Sequence, residues 1–311
     1  MPGRFLVVGE SLVDIVVPVD GTAENAVGGS CLNVAVGLAR LDVPTTLVTR
    51  IGDDDLGHRV VEHLTASNVQ LAEGSVAVGG RTSTATAHLD EHRAASYDFD
   101  LVWDLPPQQV PPDVLGVHVG SLGAILAPGR ASVLDLVERA AEDGVFVGYD
   151  PNIRPFFVDD VEAAWRDVVR IGGSARLLKL SDEDLRHLRP DHDPGEACRE
   201  LLEGRHTELV VLTRGGDGAT AYAEGTTVDV PAPATEVVDT VGAGDSFMAA
   251  MLALLVDWGV LVDGYGALAA LDDDRFRVLV EGAVSAAALT CSRRGANPPT
   301  RRELPPTWPA A

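Results

Sequence analysis

Short apolar runs alternate with amphipathic segments along most of the chain. RFLVVGE, TTLVTRIG, LGVHVGS, VFVGYDP, RLLKLS and TELVVLTRG read as strands. Between them, NVAVGLARL, GHRVVEHLTASN, ASVLDLVERAAED and EAAWRDVVRIG carry apolar residues at helical spacing. This alternation predicts an α/β fold, a mostly parallel sheet with helices on both faces. The C-terminal part reads as mainly helical, over 244–258 and about 273–292. Two segments break the rhythm: LVDIVVPVD at 12–20 and SVAVGGRTSTATAHLDEHRAASYDFD at 75–100 alternate with period two. They read as antiparallel strands forming a small sheet beside the main one, placed as a lid. No Pro/Ser-rich linker or internal repeat intervenes. One domain over 1–311 is expected, with lid strands from about 12–20 and 75–103.

Composition narrows the function classes. The chain has 46% hydrophobic and 23% charged residues, enough for a sizeable core. Its formal charge of −23 argues against nucleic acid or an anionic membrane as partner, because both need a basic face. The acidity reads as solubility. Lys179 is the only lysine, and no Gly-Lys dipeptide occurs. A Walker-A loop and a protein-kinase strand lysine are therefore both absent, so nucleotide chemistry must rest on backbone N–H groups, arginine and metal. Cys31, Cys198 and Cys291 are scattered, which suits a reducing compartment and offers no disulfide framework or zinc site. MPGRFLVVGE does not read as a signal peptide, and the longest apolar run, FMAAMLALLV, is short for a membrane span. A cytoplasmic location is expected.

Ligands of open α/β sheets bind beyond the carboxyl ends of the strands, and the glycine-rich or charged turns fall there. They are GESLVD with Glu10 and Asp14; GGSCLNVAVG with Gly28, Gly29 and Asn33, before a helix starting near Ser30; and YDPNIRP with Asp150, Asn152 and Arg154. KLSDED holds Ser181, Asp182 and Asp184, TRGGDG holds Thr213, Gly215 and Gly218, and DTVGAGD holds Asp239, Gly242, Gly244 and Asp245. Each has a structural explanation of its own. Asp182 and Asp184 suit a first helical turn, and Asp217–Gly218 suits a hairpin. A dinucleotide site is opposed: GESLVD has one glycine, and Phe247 stands where G-x-G-x-x-G needs its last. His88 and His92 lie on a strand and turn, and His58 and His63 miss a shared helix face, so the histidines read as surface or packing residues.

DTVGAGD is more decisive. Gly242 and Gly244 let the backbone approach a ligand closely. Gly244 and Asp245 are expected to open a helix whose N–H groups stabilise a phosphoryl group in transfer. Asp245 would face the acceptor and take its hydroxyl proton. Asp245 as an N-cap is the plain alternative, but a cap explains neither the glycines nor Asp239.

With GGSCLNVAVGLARLDVPTTLVTRIGDDDLG near one end and DTVGAGDSFMAAMLALL near the other, the chain resembles the ribokinase-like (PfkB) carbohydrate kinases over about residues 4 to 300. The resemblance implies a ribokinase-like fold whose lid often forms a dimer contact, hence a homodimer through the lid. It implies Asp245 as catalytic base and Gly242, Ala243 and Gly244 as anion hole, with Asp14, Gly28, Gly29 and Asn33 gripping sugar hydroxyls. It further implies Thr213, Gly215 and Gly218 as nucleotide loop, Asn297 near the adenine, and Asp239 with the backbone around Val241 and Arg293–Gly295 as a monovalent cation (K⁺) site. ATP and Mg²⁺ would be the cofactors. Where many members carry N-x-x-E, this chain has SDED, with Ser181 and Asp184 left to hold a water-mediated Mg²⁺. KLSDEDL, DPNIRP and GESLVD together are similar to the fructokinase type, with Arg154 as a substrate or phosphate contact or else in a structural salt bridge. Fructose is the first expected substrate, then 2-keto-3-deoxygluconate, ribose or a nucleoside. Arg81 or Arg93 would meet a substrate carboxylate or solvent. A non-catalytic sensor is the alternative outside the kinases.

Overall fold

The computed structural model describes residues 3–19, 21–89, 95–305 and 308; His92 and Arg93 lie outside them. Strand β1 (Arg4–Val8) leads into β2 (Leu12–Val17) and β3 (Glu24–Gly28), then helix α1 (Ser30–Arg40) and β4 (Thr45–Val48). The expected strand TTLVTRIG divides there, because β5 (Ile51–Gly52) leaves the main sheet. Helix α2 (Asp55–Ala66), β6 (Gln70–Leu71), β7 (Val76–Ala77), β8 (Ser83–Leu89) and β9 (Ala95–Asp100) follow. Next come β10 (Val114–Gly120), α3 (Ser121–Ile125), α4 (Gly129–Glu142), β11 (Phe146–Asp150) and α5 (Val161–Gly172). The remainder is β12 (Leu177–Ser181), α6 (Asp182–Leu188), α7 (Pro194–Leu202), β13 (Leu209–Thr213), β14 (Ala219–Ala223), β15 (Thr226–Val230), α8 (Ala243–Asp257) and α9 (Asp273–Cys291).

The main sheet runs β15-β14-β13-β12-β11-β10-β1-β4-β6, parallel from β6 to β13 and antiparallel only at β14 and β15. Successive residues of a strand point to opposite faces, and β1 shows both being buried. Phe5 and Val7 join the core containing α1, α8 and α9, while Leu6 and Val8 join the core containing α4 and α5. The chain leaves β1 toward β4 and later returns to β10 on its other side. That reversal opens a crevice beyond the carboxyl ends of β1 and β10.

The small sheet has the order β3-β2-β8-β9. Its middle pair corrects the expectation of antiparallel strands: β2 and β8 run parallel, Leu12 beside Ser83 and Val17 beside His88. Both strands leave the main body in the same direction, and only β2–β3 and β8–β9 are hairpin-related. Its extent is also corrected. β3 was not foreseen, and Val76–Ala77 pairs with Ile51–Gly52 in a separate two-stranded sheet. Arg81 is held by Asp100 at 2.6 Å.

Helix α8 sits at the centre. From Asp245 to Leu255 every residue is buried, as expected of a helix that is apolar all round. It packs on α9 and on α1, where a Cβ on Gly37 would stand 2.6 Å from the Ala249 Cβ. Glycine there lets the two helices approach one turn beyond the residues described next.

Candidate active site

The N-termini of α1 and α8 meet in the crevice. Helices α2, α5 and α9 start with aspartates whose carboxylates accept a first-turn N–H. Helices α1 and α8 start instead with Gly29 and Gly242 and have no side-chain cap. Gly242 has φ 76°, and a Cβ on it would lie 2.7 Å from the Ala296 Cβ, so both conformation and space require glycine. Helix α8 begins at Ala243 rather than at Gly244, and the Ala243 N–H donates to the Thr240 carbonyl at 3.2 Å. Among the described residues, the N–H groups of Gly242, Gly244 and Asp245 have no protein acceptor. The amides open to an anion are thus those three, and Ala243's is spent on the turn.

Asp245 is therefore not the N-cap. It lies in the first turn, 7% exposed, with Oδ1 accepting from the Ser30 hydroxyl at 2.6 Å and Oδ2 from the Asn33 amide at 2.8 Å. Ser30 and Asn33 are i, i+3 neighbours on α1, so both reach the same carboxylate. Gly29 has φ 117°, and a Cβ on it would stand 2.6 Å from the Glu10 carbonyl. Gly28 clears space for Asp14, whose Oδ2 would lie 2.5 Å from a Cβ there. Asp14 is exposed on β2, opposite Ala26 of β3 and on the same side of the hairpin as Gly28. Glu10 crosses the reversal point: its carboxylate accepts from the Ser30 N–H at 3.1 Å and the Gly123 N–H at 2.8 Å. Burial pushes Glu10 up to about 7, against the pull of those N–H groups and of Arg154.

Arg154 is exposed and donates to the Asn152 side-chain oxygen Oδ1 at 2.6 Å, and the Asn152 side-chain NH₂ donates to the Ser30 hydroxyl at 2.8 Å. Among the described residues no carboxylate lies within ion-pair distance of Arg154, so the structural salt bridge is not formed. Its charge acts on Glu10 and Asp14 across the crevice.

Behind this front row lies a buried cluster the sequence did not announce. Lys179 pairs with Asp150 at 2.6 Å, and its Nζ is 3.3 Å from where a Gly244 Cβ would stand. Burial lifts Asp150 to about 6 despite Lys179; burial also works against the lysine's charge, yet Asp150 holds its pKa above the usual value. His118 on β10 is fully buried; among the described residues its ring nitrogens make no well-formed hydrogen bond, only a weak contact with the Gly148 backbone. Burial, helped by Lys179, brings it down to about 3. The one available signal was the solitary lysine in an apolar strand.

Ser181 and Asp184 form a capping box at the start of α6. Asp184 accepts from the Ser181 N–H and hydroxyl at 2.7 Å each, and from the Ile153 N–H at 2.7 Å. Asp184 is buried, so its carboxylate is engaged with the protein. Asp239 similarly ties two loops, accepting from the Val241 N–H at 3.1 Å and the Gly295 N–H at 2.8 Å. These N–H bonds lower its pKa. No cluster of three or more acidic, His or Cys residues able to hold a metal occurs among the described residues. Both Asp184 and Asp239 are thus engaged by protein N–H or hydroxyl donors.

On the far side, Thr213 ends β13 beside Leu180, and Gly215 (φ 51°) begins a short turn. Gly218 is required by the hairpin itself: at φ 91° a Cβ would stand 2.0 Å from the Val230 carbonyl. Asn297 is exposed, its side-chain oxygen accepting from Arg40. Thr213 and Gly215 thus follow the carboxyl end of β13, next to β12 in the sheet, whereas Asn297 is tied to the end of α1 through Arg40.

The crevice thus combines free helix-end amides, a buried carboxylate beside them, and polar groups from α1 and the small sheet. Similarity to known proteins agrees. The profile of the pfkB family carbohydrate kinases matches residues 4–302. A fructokinase of Rhizobium leguminosarum bv. trifolii is 35% identical over 81% of this chain and 79% of its own. A fructokinase of Klebsiella pneumoniae is 31% identical over 86% and 89%. A solved fructokinase of Vibrio cholerae, bound to fructose, ADP and potassium ion, superposes with a TM-score of 0.76 at 26% identity, covering 95% of this chain and 94% of that one. No helix among the described residues is long and apolar enough to cross a membrane. The chain belongs to the pfkB family of carbohydrate kinases, and is a phosphotransferase with the ribokinase-like fold.

Proposed function

We propose that this sugar kinase transfers the γ-phosphate of ATP to fructose, with Asp245 as general base. The observation that carries the mechanism is a buried carboxylate adjoining unpartnered amides on one helix end. Asp14, Asn33 and the Gly28–Gly29 turn would hold the sugar under the small sheet, which acts as the lid. Asp245 removes the proton from the attacking hydroxyl as its oxygen bonds to phosphorus and the bond to ADP breaks. The amides of Gly242, Gly244 and Asp245 stabilise the charge on the transferring group. The nucleotide would lie along Thr213, Gly215 and Gly218 toward Asn297. Mg²⁺ bound with ATP would neutralise the phosphates, with Ser181 and Asp184 positioning the adjoining loop. K⁺ would sit between the loops that Asp239 joins, and removing it would lower kcat. The lid's outer strands would join two copies, which sedimentation would register as a dimer.

Fructose is supported by the relatives named fructokinase. The exposed Arg154, which has no carboxylate at ion-pair distance among the described residues, favours one second reading, the keto acid 2-keto-3-deoxygluconate, whose carboxylate it could meet. An ADP-release assay across fructose, ketodeoxygluconate, ribose, adenosine and tagatose separates these, and no turnover with any would favour a sensor. Asp245→Asn should lower kcat by about 10²–10⁴-fold while sparing nucleotide affinity. Near-wild-type turnover would refute Asp245 as base.

A further inference from the structure

Four polar groups form one chain into the crevice: Arg154 to Asn152 at 2.6 Å, Asn152 to Ser30 at 2.8 Å, and Ser30 to Asp245 at 2.6 Å. Its direction is forced by chemistry. A guanidinium only donates and a carboxylate only accepts, so the Asn152 amide and the Ser30 hydroxyl can each be oriented one way. Asn152 is held with φ 38°, a conformation that Asn tolerates better than most residues and that turns its amide toward α1. Ser30 is buried at the first position of α1, with its own N–H bound by Glu10. Nothing about the helix start requires this hydroxyl, since Gly29 is the N-cap and the Ser30 side chain caps no helix.

We infer that Ser30 and Asn152 are positioning residues for the base, and that the two oxygens of Asp245 have different jobs. Oδ1 is anchored to the protein through Ser30, Asn152 and Arg154. Oδ2, whose partner is the Asn33 amide, is the oxygen that meets the acceptor hydroxyl and takes its proton. Rotation about the Asp245 side chain would exchange the oxygens or turn both away from the acceptor, and the Ser30 hydrogen bond opposes that rotation. Arg154 is the exposed end of the chain, so a substrate group that engages it also bears on the orientation of the base. This inference rests on Asp245 being the base.

The test is a double-mutant cycle with ATP and fructose as probes. Ser30→Ala and Asn152→Gly each remove one link, and glycine keeps the backbone conformation at 152 available. Loss of a hydrogen bond to a charged group predicts about a tenfold or larger fall in kcat for Ser30→Ala, with KM for ATP unchanged and the melting temperature lowered by only a few degrees, so that the protein stays folded in the assay. Asn152 acts through Ser30, so adding Asn152→Gly to Ser30→Ala should cost less than about twofold more. Ser30→Thr, which retains the hydroxyl, should recover part of the loss. Two outcomes overturn the inference: a Ser30→Ala kcat within about twofold of wild type, or multiplicative losses in the double variant. Asp245→Asn is assayed in parallel. If it is inactive while Ser30→Ala is normal, the base stands and the anchoring falls; if it is active, the base itself is wrong.

Discussion

His118 couples the stability of this enzyme to acid. Its ordinary pKa near 6.5 falls to about 3 in the folded protein, because burial and the Lys179 charge both oppose protonation. Below pH 6.5 the unfolded chain takes up a proton that the folded chain refuses, so stability is lost as pH falls from 6.5 toward 3. At pH 5 the difference is about 1.5 pH units, or about 2 kcal/mol. With an unfolding entropy of about 2.1 cal/mol/K per residue over 311 residues, that corresponds to about 3 °C in Tm. His118→Met removes the titrating group at the cost of no more than the weak contact of its ring with the Gly148 backbone. Met also adapts to the space beside Met248 and Leu252, which flank the neighbouring Gly148. Urea unfolding of both proteins at pH 7.5 and pH 5 isolates this group from other titrations. Wild type should lose about 2 kcal/mol more than His118→Met over that range. Equal losses would refute the picture of a buried, neutral imidazole at this position.

Other consequences follow from the same contacts. Arg176 is fully buried against Glu208 and over the rings of Phe146 and Tyr265. Glu208→Gln would strand that charge and cost about 3–5 kcal/mol, and calorimetry should find Arg176→Met/Glu208→Leu more stable than this single variant. Gly37→Val would wedge α1 from α8 and cost about 1–3 kcal/mol. Turnover should fall further than stability, about 10²-fold, because Ser30 and Asn33 would move relative to Asp245. EDTA should abolish turnover without lowering the Tm of the ligand-free protein, since no acidic cluster among the described residues would be emptied of metal.

The order of strands and helices, the buried α8 and the two glycine turns were legible in the sequence because each is local. Period, propensity and glycine act within a few residues. The sequence also singled out Asp245, Gly242, Gly28, Gly29 and Asn33 as candidates, because glycines next to polar residues at helix starts have few structural uses. It did not carry the parallel pairing of β2 with β8, since strand direction depends on how distant segments leave the main sheet. Gly218 looked like a ligand loop and is also demanded by the Val230 carbonyl behind it. Ala243 looked like part of the anion hole, and only the Thr240 hydrogen bond shows that its amide is spent.

What the sequence determined by itself was the frame and the acid beside a phosphate-shaped turn. Only the tertiary structure decided which groups bear on that acid. Ser30 lies 215 residues from Asp245 in the chain, and their hydrogen bond exists because Gly37 lets α1 close on Ala249 of α8. The same holds for Lys179 and Asp150 behind Gly244, two ordinary charges until adjacent strands bury them together. Hydrogen bonds and Coulomb forces act over a few ångströms, so their partners are set by folded proximity and leave little trace in local pattern.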